Sequence, residues 1–368
     1  MVKKKTIKNK KKNHRRFSFY IFVPSNKKRL FTKEKIETLF KAIHEVQNIV
    51  LMIHRNPDGD AMGAALSLQR LLQKIGKKAV VIAPNMFPDF LSWMNGSNEI
   101  VIANEQFKEA KAIIENAEMV ICLDFNAFSR LSPELESIMV NVSVKKVLID
   151  HHLEPEPSFD IVFSEVNTSS TSELVFQIIK DSDYETLFDK FMAEQLYVGI
   201  VTDTGSFSFN CNRPSTYDAT SYLMKLGIDG EAIHRLVYDT YSENRMRLLG
   251  LCLSERLVVL PEFSASYIYL TIDDLKKFEY QTGDTEGVVN YGLSMSGINV
   301  TALFTERENK IRISFRSKGD FDVNTFARTH YRGGGHRNAA GADSYVSLDE
   351  TIRIFEEALK LYKDQLNF

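Results

Sequence analysis

Five aspartates and three histidines fall in four short segments of this chain: His54-Arg-Asn-Pro-Asp58-Gly-Asp60, Asp124, Asp150-His151-His152 and Asp203-Thr-Gly. Carboxylates and imidazoles gathered in one crevice repel and resist ionisation unless cations lie among them. An oxygen-rich ligand set with a minority of imidazoles suits Mn2+ better than a structural zinc, which favours thiolates. Two such ions about 3.5–4 Å apart are the apparatus of metal-assisted displacement at phosphorus. The bland reading of each segment is also concrete. Asp-Gly-Asp before a helix is good turn and N-cap material. Two consecutive imidazoles at a strand end fit that reading poorly, and four segments of one kind fit it worse.

The elements that must position these groups are legible as apolar runs at 49–53, 119–123, 147–149 and 196–201, each read as a strand. In an open parallel sheet, ligands bind outside the carboxyl ends of the strands, so four such ends would converge on one crevice. Residues 61–75 carry apolar positions at helical spacing and stop at Gly76. Strand–helix alternation up to residue 203 predicts an α/β domain, a mostly parallel sheet with helices on both faces. The pattern then turns helical over 214–226, 230–238 and 243–257. Strands follow at 264–270, 297–305 and 310–316, then a helix at 322–330, a glycine cluster at 333–335 read as a turn, and a closing helix near 348–366. The expected organisation is a basic extension (1–30), a catalytic domain (31–240), a helical connector (241–258) and a smaller α/β domain (259–368).

The formal charge of -2 conceals an asymmetry: thirteen Lys and Arg and no acidic residue lie within residues 1–33, leaving 33 basic against 48 acidic residues beyond. An acidic body does not suit tight binding along long nucleic acid, which rests on many phosphate contacts. A small phosphorylated substrate remains compatible with it. The basic head reads as a disordered extension or a nucleic-acid-binding arm. The apolar stretch 17–23 is far shorter than the roughly 20 residues of a membrane span. With no cleavage site after it, no secretory signal is expected. Cys122, Cys211 and Cys252 are too few for a disulfide framework and fit a reducing cytoplasm.

These four segments resemble the motifs of the DHH phosphoesterases, and Gly333-Gly-Gly-His336-Arg-Asn-Ala-Ala-Gly341 resembles the glycine motif of the associated DHHA1 domain. The resemblance runs from about Ile36 to Lys360, and the bare two-domain layout is most similar to the NrnA group of oligoribonucleases and 3'-phosphoadenosine 5'-phosphate phosphatases. It implies two Mn2+, with Mg2+ or Co2+ as substitutes. One ion would be held by His54, Asp58 and Asp124, the other by Asp60, Asp124, His151 and Asp203, with Asp124 bridging. Asp150 would orient an imidazole, and His152 would face the scissile phosphate as a candidate proton donor. Arg130 matches a family arginine near that phosphate. Arg316 and the glycine loop Gly333, Gly334, Gly335 with His336 would bind the far end of the substrate. The segment Ser169-Ser-Thr-Ser-Glu173 opens a helix whose free N–H groups either face an anion or are simply capped.

The function expected on these grounds is manganese-dependent hydrolysis of short oligoribonucleotides and linear dinucleotides to mononucleotides, with 3'-phosphoadenosine 5'-phosphate as a further substrate. The alternatives are a cyclic-dinucleotide phosphodiesterase and, in another class, a non-catalytic nucleotide sensor. No membrane partner is expected, and a homodimer is left open.

Overall fold

The computed structural model describes residues 30–366; the basic extension, apart from Leu30, lies outside the described residues. Two six-stranded sheets organise them. The first is parallel throughout, in the order β3-β2-β1-β4-β5-β6, built from β1 (Asn48–Ile53), β2 (Lys78–Ala83), β3 (Val101–Ile102), β4 (Met119–Leu123), β5 (Lys145–Asp150) and β6 (Ile161–Ser164). Its helices are α1 (Lys33–His44), α2 (Gly59–Lys74), α3 (Phe107–Glu115), α4 (Pro133–Asn141), α5 (Thr171–Lys180) and α6 (Lys190–Asp203). Side chains alternate along β1: Ile49, Leu51 and Ile53 join a core with α1, α2, α5 and α6, while Val50 and Met52 join another with Ala110, Ile114, Leu135 and Met139 of α3 and α4. Burial on both faces is why the strands read as unbroken apolar runs rather than as alternating ones. Strand order reverses between β1 and β4, which opens a crevice at their carboxyl ends.

Three helices, α7 (Pro214–Lys225), α8 (Gly230–Tyr238) and α9 (Glu243–Ser254), lead to the second sheet. Its order is β11-β12-β10-β9-β8-β7, from β7 (Leu257–Leu260), β8 (Ala265–Leu270), β9 (Val300–Arg307), β10 (Lys310–Ser317), β11 (Arg332–His336) and β12 (Ala339–Ser344). All its pairings are antiparallel except β8 with β9. The accompanying helices are α10 (Ile272–Lys277), α11 (Val288–Ser294), α12 (Val323–His330), α13 (Leu348–Leu361) and α14 (Lys363–Leu366). Phe326 of α12 and Phe355 of α13 pack against one face, and Leu251 of α9, Leu275 and Val288 against the other. No helix among the described residues is long and apolar enough to cross a membrane.

Two expectations are overturned. Residues 196–201 are not a strand but part of α6, so Asp203 is the last residue of a helix. Every residue from Gln195 to Val201 is buried, and a helix enclosed on all sides shows no apolar stripe to betray its period. Glycines allow the enclosure: a Cβ at Gly63 would lie 2.3 Å from the Gln195 carbonyl oxygen, and one at Gly199 would lie 1.9 Å from the Ser172 hydroxyl. Nor is the glycine cluster a turn. Gly333, Gly334 and Gly335 form the edge strand β11, paired with β12. A Cβ at Gly333 would meet the Gly341 carbonyl oxygen at 2.3 Å, and Gly335 has φ 151°. These two glycines are therefore required by strand packing, and no side-chain propensity marks the stretch as a strand.

Candidate active site

The loop leaving β1 delivers the first three groups. Asp58 caps α2, its Oδ1 accepting from the amides of Asp60 at 2.9 Å and Ala61 at 3.1 Å, which leaves Oδ2 free to face inward. The Arg55 amide donates to the Arg130 carbonyl at 2.9 Å and ties this loop to the segment that follows β4. Asp124 comes directly after β4 in the left-handed region, φ 65°, where Asp is among the few tolerated side chains. Asp150 ends β5, with His151 and His152 following.

His54, Asp58 and Asp124 bring three ligand atoms together, as do Asp60, His151 and Asp203, with each set's atoms within 4.8 Å of one another. Asp124 divides between the two sets. Its Oδ2 lies 3.3 Å from His54 Nε2, and its Oδ1 lies 3.5 Å from His151 Nε2. His54 Nε2 is also 3.8 Å from Asp58 Oδ2; His151 Nε2 is 3.6 Å from Asp203 Oδ2 and 3.9 Å from Asp60 Oδ2. Burial, followed by the Asp124 charge, holds Asp60 and Asp203 well above the usual carboxylate range. His54 Nε2 is buried without a hydrogen-bond partner, which costs free energy unless a ligand satisfies it. A crowded acid cluster with an orphaned imidazole nitrogen is a fit for divalent cations.

The same charges make stability depend on pH. Asp150 is pushed up to about 7, by burial and then by Asp124. A carboxyl raised by folding stabilises below its ordinary range, and that contribution is lost as pH rises through the folded value. His151 and His152, lowered to about 4 and about 3 chiefly by burial, act in the opposite sense, but their contribution is complete above the ordinary imidazole value of 6.5. Between pH 6.5 and 8 the groups that change are the raised carboxyls and His54. Against the opposing effect of burial, Asp124 and Asp58 hold His54 above its ordinary value, and both kinds of group lose their contribution as pH rises. With chelator present, the melting temperature is expected to fall over that interval by about 2–4 °C. Added Mn2+ should remove the fall; a flat profile without cation would contradict the electrostatic account.

The adjacent histidines differ in what they face. His151 turns Nε2 to three carboxylates, whereas His152 Nδ1 is engaged by Asp150 Oδ1 at 2.7 Å. Asp150 Oδ2 also accepts from the His152 amide at 3.1 Å, so this carboxylate orients His152. Across the crevice His336, at the end of β11, stacks on His152 with ring centroids 4.4 Å apart and lies 4.7 Å from His151. Burial, then the two neighbouring imidazoles, keeps His336 well below the usual histidine range. Arg316 of β10 also turns into the crevice; its Nε is buried without a partner, and the Asp203 and Glu286 carboxylates act on its charge. Arg130 ends a short 3-10 turn, close enough for its charge to act on His54, His152 and His336.

Three features had no sequence signal or an ambiguous one. Glu154, beyond the histidine pair, meets Arg328 of α12 at 2.5 Å and joins the two domains across 174 residues of chain. Glu286 stands in an unpatterned stretch before α11. The anion faced by the N-terminus of α5 is Asp60: the Thr171 and Ser172 amides donate to its two oxygens at 2.6 and 2.8 Å.

Comparison with known proteins gives the family. The family model "DHH family, N-terminal domain" matches residues 48–200, and the DHHA1 domain matches residues 264–366. The bifunctional oligoribonuclease and PAP phosphatase NrnA of Bacillus subtilis is 28% identical over 327 residues, which span 89% of this chain and 98% of that protein. The cyclic-di-AMP phosphodiesterase GdpP of the same organism is 27% identical over 88% of this chain but only 49% of its own length. A crystal structure of an exopolyphosphatase-related protein from Bacteroides fragilis superposes with a TM-score of 0.88 at 39% identity, covering 93% of this chain and 100% of that one. The chain belongs to the DHH phosphoesterase family and carries the DHHA1 domain.

Proposed function

We propose that this protein is a two-cation phosphoesterase that hydrolyses short oligoribonucleotides and linear dinucleotides to mononucleotides, and converts 3'-phosphoadenosine 5'-phosphate to AMP. The observation that carries the reading is the division of Asp124, one oxygen facing His54 and Asp58 and the other facing His151, Asp60 and Asp203. His54, Asp58 and Asp124 would hold one Mn2+, and Asp60, Asp124, His151 and Asp203 the other, with Mg2+ or Co2+ as substitutes. When bound, the ions supply Lewis acidity and lower the pKa of water.

The chain's own groups supply the rest. Asp150 fixes the His152 ring so that Nε2 faces the crevice, where it binds a phosphoryl oxygen or passes a proton to the leaving ribose oxygen. Arg130 adds positive charge where charge builds up on the phosphoryl oxygens. Arg316 and His336 reach in from the second domain and hold the end of the substrate away from the cations. The His336 and His152 rings must part to admit it. Short substrates are favoured by the contacts that span the crevice, His336 on the histidine pair and Arg328 on Glu154, and by similarity along nearly the whole length of an NrnA protein.

A rate comparison tests the reading. Purified protein with Mn2+ is given a linear diribonucleotide, 3'-phosphoadenosine 5'-phosphate, a cyclic dinucleotide and a long oligoribonucleotide. The first two are expected to turn over at least roughly tenfold faster than the last two, and a chelator should stop all four. Fastest turnover of the cyclic substrate would replace this reading with a cyclic-dinucleotide phosphodiesterase. No turnover despite two bound cations would leave a nucleotide sensor.

A further inference from the structure

One helix terminus touches both Asp124, which joins the two halves of the site, and Asp60, which belongs to one of them. Asp60 arrives on α2 and Asp124 at the end of β4, and the first turn of α5 holds each. The Thr171 hydroxyl donates to Asp124 Oδ1 at 2.9 Å, both groups being buried. The Thr171 amide donates to Asp60 Oδ2 at 2.6 Å, and the Ser172 amide to Asp60 Oδ1 at 2.8 Å. The turn is itself braced. Ser170 caps it, and buried Glu173 accepts from the Ser169 amide at 3.1 Å, the Ser169 hydroxyl at 2.6 Å and the Thr216 hydroxyl at 2.8 Å. Asn210, beyond Asp203, donates to the Thr168 and Ser169 carbonyls at 3.2 Å each.

A carboxylate that serves two clusters must be fixed in rotation about its own axis, because turning it exchanges the direction of both oxygens. Asp124 accepts the Thr171 hydroxyl on Oδ1, which leaves that oxygen's other lone pair for the His151 side and Oδ2 for the His54 side. A hydroxyl here does what a methyl of the same shape would not. The geometry points to Thr171 as a positioning residue for the cation pair: its hydroxyl sets the rotation of Asp124 while its amide helps to anchor Asp60. This inference rests on the two-cation reading above.

The test compares Mn2+ binding by calorimetry and electron paramagnetic resonance in the wild type, Thr171→Val and Thr171→Ser. In the valine variant the dissociation constant of the weaker ion should rise about tenfold, the lower end of the usual effect of groups that orient metal ligands. The spectrum of an exchange-coupled Mn2+ pair should give way to that of isolated ions. The serine variant, which keeps the hydroxyl, should restore both. A valine variant with wild-type affinity and an unchanged coupled spectrum would overturn the role of Thr171. Should valine prevent folding, Thr171→Ala removes the hydroxyl together with the γ-methyl, adds no bulk, and is judged by the same two readouts. If the wild type itself binds no pair of ions, the two-cation reading fails instead, and the two failures are thereby told apart.

Discussion

Asp124→Asn is expected to lower turnover at least about 1000-fold and to reduce bound Mn2+ from two ions per chain to one. Loss of a single preorganised donor already costs about 100- to 1000-fold in catalysis, and this residue serves two clusters at once. Asn keeps the shape and, like Asp, tolerates the positive φ of 65° found here, so the backbone is not penalised. Its amide nitrogen carries hydrogens in place of one oxygen and cannot ligate on that side. In chelator, the fall of the variant's melting temperature between pH 6.5 and 8 should be shallower than that of the wild type. The Asp124 charge is the main cause, after burial, of the raised positions of Asp60 and Asp203, and removing it relieves both. Turnover, calorimetric stoichiometry and melting temperature are measured on one preparation. Two tightly bound ions with near-normal turnover would show that Asp124 does not bridge.

His152→Ala should cut kcat by about 100- to 10,000-fold, the usual range for a positioned proton-transfer group, while the protein still binds two Mn2+. The reason lies in which atoms are engaged. His151 Nε2 has three carboxylates within 3.9 Å, as a ligand would. His152 spends Nδ1 on Asp150 and turns its other nitrogen toward the crevice, beside His336. Asp150→Asn should produce a smaller loss of the same kind, because an amide holds the imidazole less firmly and can present the wrong partner atom. Steady-state kinetics with parallel metal titration separate the outcomes. Loss of one ion from His152→Ala would make His152 a ligand and require the site to be redrawn.

The groups legible in the sequence are those whose neighbours are close along the chain. His54, Asp58 and Asp60 lie in one loop, and Asp150 adjoins His151 and His152, so connectivity alone places each set within a few ångströms. The parallel sheet was legible for a related reason: strands buried on both faces must be apolar throughout, whatever packs on them. Legibility failed where tertiary burial erased local pattern. Residues 196–201 are apolar enough for a strand and short enough to be ambiguous, and enclosure of α6 by its neighbours removed the polar face that would have marked a helix. The stretch 333–335 has no side chains to express a preference, and its conformation follows from the close approach of β12.

From its sequence alone, then, this chain determined its chemistry: which carboxylates and imidazoles are present, the loops that carry them, and the strand ends that aim most of them at one crevice. Only the tertiary structure decided that Asp124 divides its oxygens between two clusters, that Thr171 reaches it across 47 residues and Asp60 across 111, and that His336 closes over the histidine pair. Spacing along the chain constrains neighbours, but contacts between distant segments form only once burial has selected one packing of helices on the sheet.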